Sequence, residues 1–239
     1  MMKINWIAIK VVLVLVVIGF LFGFSKNRNE ARKLTKIDVE FLDDNDPFIT
    51  LKSVNKLLIQ NQDSITSIAK ETLVLREMES RLLENPMIRD AEVFVTVAGV
   101  LGAKIEQRKP IGRVSSLTDY YLDDDGKIMP LSSVFTARVP LITGQSSSNF
   151  TELTILLQKI NEDDFMKNSV IGMHSNATGD IILQIRKHDF KVLFGKPVAI
   201  EKKFQNFKAF FQKTKEDKTL TSYKWVDLKF GNQVVATKR

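Results

Sequence analysis

Fourteen consecutive residues without a polar side chain, Val11 to Phe24 (VVLVLVVIGFLFGF), constrain this chain more than any other feature. A helix apolar on every face has no side to offer water, so it belongs in a core or in lipid. A core helix fits poorly at a chain terminus. Extended back to Ile4, the stretch is broken only by Asn5 and Lys10, and as a helix it would measure about 31 Å against a hydrocarbon core of about 30 Å. Trp6 lies near one end, where an interfacial ring belongs, and Lys10 would snorkel to the headgroups. Residues 1–25 therefore read as a short cytoplasmic tail and a single transmembrane helix. A cleaved signal peptide competes, with Lys3 and Lys10 in its n-region. No A-x-A site follows, and only Gly23-Phe24-Ser25 has small residues at the right spacing.

Orientation is less direct. The positive-inside rule sets Lys3 and the terminal amine against Lys26, Arg28, Arg32, Lys33 and Lys36 beyond the helix. Taken alone, that count puts the long C-terminal part in the cytoplasm. The same basic cluster could be drawn to lipid headgroups. The whole chain has 35 basic and 28 acidic residues, and outside that cluster the two signs are interspersed, as on an ordinary solvated surface. The absence of cysteine excludes disulfides, thiolate nucleophiles and cysteine-based zinc sites.

Beyond a polar linker over residues 26–36, a first module spans residues 37–109. Ile37 to Phe41 alternates at period two and reads as a strand. Asp43 to Pro47 is turn chemistry. Thr50 can N-cap a helix carrying Leu51, Val54, Leu57 and Leu58 on one face. A second helix, from about Thr72, spaces Leu75, Met78 and Leu82 three and four apart and stops before Pro86. Two alternating runs follow. Val93, Val95 and Val97 share a face of the first, and Leu101, Ala103 and Ile105 a face of the second, with Gly99 and Gly102 flanking the turn between them. The order is β-α-α-β-β.

That order, with the phrase Glu84-Asn85-Pro86-Met87-Ile88-Arg89-Asp90-Ala91-Glu92-Val93, resembles a POTRA domain. Ile105-Glu106-Gln107-Arg108-Lys109-Pro110 resembles the E-R-x-P closing signature of the POTRA in FtsQ/DivIB cell-division proteins, with Gln107 inserted or Gln107-Arg108 shifted by one. The arginine can pair with a nearby acid, and the proline ends the strand. Further on, Tyr120 to Pro130 (YYLDDDGKIMP) looks like that family's Y-x-[LV]-D-x-x-G-x hairpin. Arg138 to Gly144 looks like its L-P-x-[IL]-x-G strand, Val192 to Lys196 like the end of a later strand, and Tyr223 to Phe230 like its Y-[IV]-D-L-R-[YF] strand. Lys229 stands where arginine is usual, which removes a bidentate donor. The resemblance extends from the apolar helix to about Ala236. The fold class it implies is α+β: one N-terminal transmembrane helix, a POTRA domain, then a mostly antiparallel β domain with packed helices over residues 110–239. In that domain, residues 151–160 and 199–213 read as helices. Residues 180–186, 190–194 and 222–230 read as strands, and a Gly231-Asn232 turn precedes a last strand over 233–237. Phe204, Phe207, Phe210 and Phe211 read as core over a sheet.

Catalytic patterns are missing. No H-E-x-x-H, G-x-S-x-G, Walker A or dinucleotide fingerprint occurs. His174 and His188 are too few for a metal site without cysteine. Asp123-Asp124-Asp125-Gly126 lacks the distal glutamate of a calcium loop and reads as a turn with Gly126 at positive φ. The chain is therefore expected to have no catalytic residues, cofactor or metal.

The resemblance implies a non-enzymatic divisome scaffold. It would sit in the cell inner membrane with its bulk in the periplasm, enriched at the division septum, against the charge count given above. Its partners would be FtsB- and FtsL-like small bitopic coiled-coil proteins and, indirectly, the septal peptidoglycan synthase. They would dock by β-augmentation on an exposed C-terminal sheet edge. The residues implied for that contact are Tyr223, Trp225, Lys229, Phe230, Val234, Val235 and Ala236. Trp225 reads equally well as core, and Val226 reads as core. The alternative is a POTRA-containing secretion or outer-membrane assembly factor, which usually carries several such repeats and a barrel.

Overall fold

The structure, a computed structural model, describes residues 6–30, 34–42, 47–59, 75–144, 150–231 and 233–239, and only the backbone of residues 7–9 and 27–30. Lys3, Arg32, Lys33, the start of the Asp43–Pro47 turn, Thr72 and Asn232 lie outside the described residues. The chain divides into two compact units, Met1–Asp44 with Ile49–Gln107, and Asn45–Phe48 with Arg108–Arg239.

The first unit begins with helix α1 (Trp6–Glu30). It continues past Ser25 into the expected linker, because Lys26 to Glu30 contain neither proline nor glycine to stop it. From Val11 to Phe24 its large side chains are exposed all round, Phe20 and Phe22 by more than 70%. The part of α1 with described side chains that is continuous runs from Lys10 to Lys26. Among the described residues no helix is long and apolar enough to cross a membrane, so the transmembrane helix expected from the sequence is not established by them.

Strand β1 (Lys36–Phe41), helices α2 (Leu51–Leu58) and α3 (Leu75–Leu83), and strands β2 (Ile88–Val95) and β3 (Val100–Gln107) follow in the expected order. The sheet order is β1-β3-β2, with β1 parallel and β2 antiparallel to the central β3. Leu101, Ala103 and Ile105 are almost fully buried from that central strand. Thr50 caps α2, its hydroxyl accepting from the Ser53 N–H at 3.1 Å. Val54, Leu58, Met78 and Leu82 are the buried side of the two helices, while Leu51 is exposed, because it lies on the first turn. Val97 is also exposed rather than aligned with Val93, because β2 has ended before it. Gly99 takes φ +84° in the turn. Gly102 lies inside β3 and not at the turn: its cross-strand partner is Phe94, whose ring would stand 2.3 Å from a Cβ there.

The second unit is a nine-stranded sheet. Its strands are β4 (Pro110–Val114), β5 (Tyr120–Asp123), β6 (Ile128–Pro130), β7 (Leu141–Gly144), β8 (Val170–Ser175), β9 (Ile181–Ile185), β10 (Lys191–Gly195), β11 (Tyr223–Asp227) and β12 (Val235–Lys238). They lie in the order β12-β11-β10-β9-β8-β7-β4-β5-β6. Most neighbours are antiparallel, but β4–β7, β7–β8 and β10–β11 are parallel. Parallel neighbours need a crossover. Helices α4 (Phe150–Glu162) and α5 (Asp164–Ser169) carry the chain from β7 to β8, and α6 (Ile200–Glu216) carries it from β10 to β11. Leu153, Leu156, Leu157 and Ile160 of α4 and Phe204 and Phe207 of α6 join one core with Leu183, Val192, Phe194 and Val226 of the strands. Phe210 and Phe211 are half-buried at its margin.

Candidate functional site: the C-terminal sheet edge

The terminal strands take their positions from α6. Its Phe204 and Phe207 seat it on the sheet, and the chain then returns as β11 in parallel register with β10, Val226 opposite Val192. Val226 is fully buried, as its sequence setting indicates. The chain turns back through Leu228 to Val234 and adds β12 antiparallel to β11, with Trp225 opposite Thr237, Val226 opposite Ala236 and Asp227 opposite Val235. Strand β12 is the last in the sheet. Alternate N–H and C=O groups along its outer side therefore have no strand partner among the described residues. The opposite edge, β6, is only three residues long and ends in Pro130, which removes a donor. Of the two edges, β12 is the better template for another strand.

The seven residues singled out from the sequence do not form one face. Tyr223 turns toward α6, its ring 5.2 Å from that of Phe210. Val234 packs on the same core, and Ala236 is half-buried in register with Val226. Trp225 and Val235 lie on the other surface of the sheet, because cross-strand partners and residues two apart share a side. Trp225 is half-buried there, with the Lys191 ammonium 6.0 Å from its ring centre. Lys229 and Phe230 occupy the connecting turn. The Lys229 N–H donates to the Asp227 carboxylate at 2.8 Å, and its ammonium lies 3.6 Å from the same group. Phe230 is 48% exposed. The strand is pinned at its end by the Arg239 N–H donating to the Ser222 carbonyl and by the Arg239–Asp189 ion pair at 3.0 Å.

Three further features shape this corner, of which only Gly195 falls in a motif, the strand end at Val192 to Lys196. Gly195, at the end of β10, takes φ +71°, and the Lys229 stem lies where its Cβ would be. Ala199 also has positive φ, at 49°. Between them, buried Lys203 donates to the carbonyls of Phe194 at 2.8 Å and Lys196 at 2.7 Å, closing the β10–α6 turn. Burial pushes the Lys203 pKa down, partly offset by Asp180 and Asp227. Its spacing, three residues after Ile200 and four before Phe207, sets it on the buried side of α6.

The acidic run has a structural use. Asp123, Asp124 and Asp125 bring one carboxylate oxygen each within 4.8 Å of one another. Asp123, however, is fully buried and accepts from Arg108 at 2.8 Å and from the N–H groups of Asp125 and Lys127. Gly126 has φ +75°. The carboxylate closes the β5–β6 turn, and Arg108 of the closing signature is its countercharge.

The family described as FtsQ/DivIB, C-terminal related, matches residues 109–237, and a POTRA-like domain matches residues 33–106. No curated protein matches this chain. The POTRA-like match takes in the three-stranded sheet, but for the last residue of β3, with helices α2 and α3, and the other takes in all nine strands of the second sheet but for the last residue of β12; the second match spans more than half of the chain, which belongs to the FtsQ/DivIB family.

Proposed function

We propose that this protein is a membrane-anchored, non-enzymatic scaffold of the division machinery. It binds small bitopic coiled-coil proteins of the FtsB and FtsL kind and, through them, helps organise and regulate septal peptidoglycan synthesis. The observation that carries the reading is the open edge of β12 in the domain matched by the family. A partner segment in extended conformation would add a tenth strand and satisfy the outer N–H and C=O groups. Exposed Phe230 and Val235 flank the edge as apolar contacts, and exposed Lys224 and Lys238 favour a partner strand with acidic neighbours.

The anchor is α1. Its all-round apolar exposure is unfavourable in water and favourable in lipid. The family resemblance supports an inner-membrane location with both folded units in the periplasm and enrichment at the septum. Resistance of the protein to alkaline extraction from membranes, and protease access to it only after the outer membrane is opened, test this part.

Partner binding is tested by co-purification from detergent-solubilised membranes, comparing the intact chain with one truncated after Phe230. Small coiled-coil division proteins should accompany the intact chain and be lost with β12. Equal recovery with both chains would move the docking surface elsewhere.

A further inference from the structure

We infer that the second unit holds a binding pocket for an oxyanion borne on a short apolar group. A cavity of about 200 Å³ opens beside α4, α5 and the segment leading into β7. That is the volume of roughly six or seven waters. Three cations line it, Arg138, Lys167 and Arg186, and no acidic residue does. They come from three separate elements: the chain before β7, helix α5 and the end of β9. Between them, Leu157, Ile160 and Val170 supply an apolar floor, each buried in the core.

Two of the nearby acids are engaged elsewhere, and a third, Asp164 on the first turn of α5, does not line the cavity. Glu162 pairs with Lys159. Asp163 caps α5 through the Met166 N–H and pairs with Lys208. Among the described residues, neither Arg138 nor Lys167 has an ion-pair partner. Arg186 is held in place by its own Nε donating to the Asn168 carbonyl at 3.0 Å, which leaves its terminal nitrogens available. Three like charges around one concavity repel each other, and an anion relieves that repulsion. Guanidinium groups favour planar or phosphate-like oxyanions. The floor would hold a short alkyl stem and adds nothing for a bare anion. This site is separate from the β12 edge and does not rest on the scaffold reading.

The test uses the full-length chain in detergent micelles with carbon-13-labelled isoleucine methyl groups. Ile111, Ile160 and Ile171 line the pocket, and Ile88 in the first unit reports on general effects. The chain is titrated at constant ionic strength with butyrate, acetate, inorganic phosphate and the neutral analogue butyramide. Saturable shifts at the three pocket methyls with butyrate or phosphate, and none with butyramide, are expected. Butyrate binding more tightly than acetate and phosphate identifies a carboxylate on an apolar stem. Phosphate binding more tightly than butyrate would overturn the apolar stem, since a bare anion draws nothing from the floor. The double variant R138Q/K167Q should weaken binding about tenfold or more, with the Ile88 signal unmoved, whereas K215Q, which removes an exposed charge elsewhere, should not. Equal binding of butyramide, an unchanged affinity in the double variant, or no saturation by either anion would overturn the proposal.

Discussion

Replacing Arg108 with methionine should destabilise the second unit by about 3 kcal/mol. The Asp123 side chain has no solvent exposure, and Arg108 is only 14% exposed. Removing one member of a buried ion pair typically costs about 3–5 kcal/mol, because a desolvated charge is left behind. Here the N–H groups of Asp125 and Lys127 still donate to the carboxylate, which places the cost toward the lower end of that range. Asp123→Asn should cost less, about 1–2 kcal/mol, since the remaining Arg108 can turn toward water while the amide oxygen still accepts from the turn. In the double variant the losses should be less than additive, as for any directly bonded pair. Urea unfolding of the full-length chain in detergent measures this. Trp6→Phe in the background leaves Trp225 as the sole tryptophan, so fluorescence reports on the second unit alone. With a urea slope of about 2 kcal/mol/M, Arg108→Met should lower the midpoint by about 1.5 M. A shift below about 0.3 M, or strictly additive single effects, would show that the pair does not hold the turn.

Lys203→Met leaves two buried carbonyls without their donor and should cost about 2–3 kcal/mol at neutral pH. Because the folded state lowers the Lys203 pKa, the unfolded chain binds more protons between that value and the ordinary 10.5. Wild-type stability relative to Lys203→Met should therefore rise as pH climbs through this alkaline window, and a flat or falling difference would contradict the burial argument. Gly144→Ala should cost more than about 2 kcal/mol. Its φ is +92° and a Cβ would meet the Ser175 carbonyl oxygen at 2.0 Å, so thermal unfolding should show a clear loss. Phe207→Ala should remove about 3–5 kcal/mol from the second unit, since the ring is fully buried between α6 and the sheet. Urea titration reports this loss.

Much of the fold was legible where periodicity and punctuation agree. Leu101, Ala103 and Ile105 alternate cleanly and are the centre of the first sheet. Phe204 and Phe207 at helical spacing are the seat of α6. Pro86, Gly99 and Gly126 mark the ends and turns they promised. Strands β4 and β8 were not legible. Gly112 and Gly172 weaken their patterns, yet each glycine admits a neighbour, Ile142 at 2.6 Å and the Gln184 side chain at 3.1 Å from where a Cβ would stand. The parallel pairings were hidden as well, because strand direction follows from crossovers and not from local alternation. At the edge, Val234 and Val235 alternate as a simple period requires, but Tyr223 and Trp225, two residues apart, lie on opposite faces, which that period does not give. A register shift between Tyr223 and Trp225 breaks the alternation that would have set them on one side.

The central claim is that β12 offers its outer backbone groups to a partner strand. Of the adjacent positions Ala236 and Thr237, one N–H is directed to β11 and the other outward. Co-purification of small coiled-coil division proteins, measured together with the urea midpoint, should be done on Ala236→Pro and Thr237→Pro. Both prolines should abolish capture, but only the one facing β11 should lower stability, since the other removes a donor that has no partner within the chain. Capture retained by the variant whose stability is unchanged would contradict strand addition at this edge.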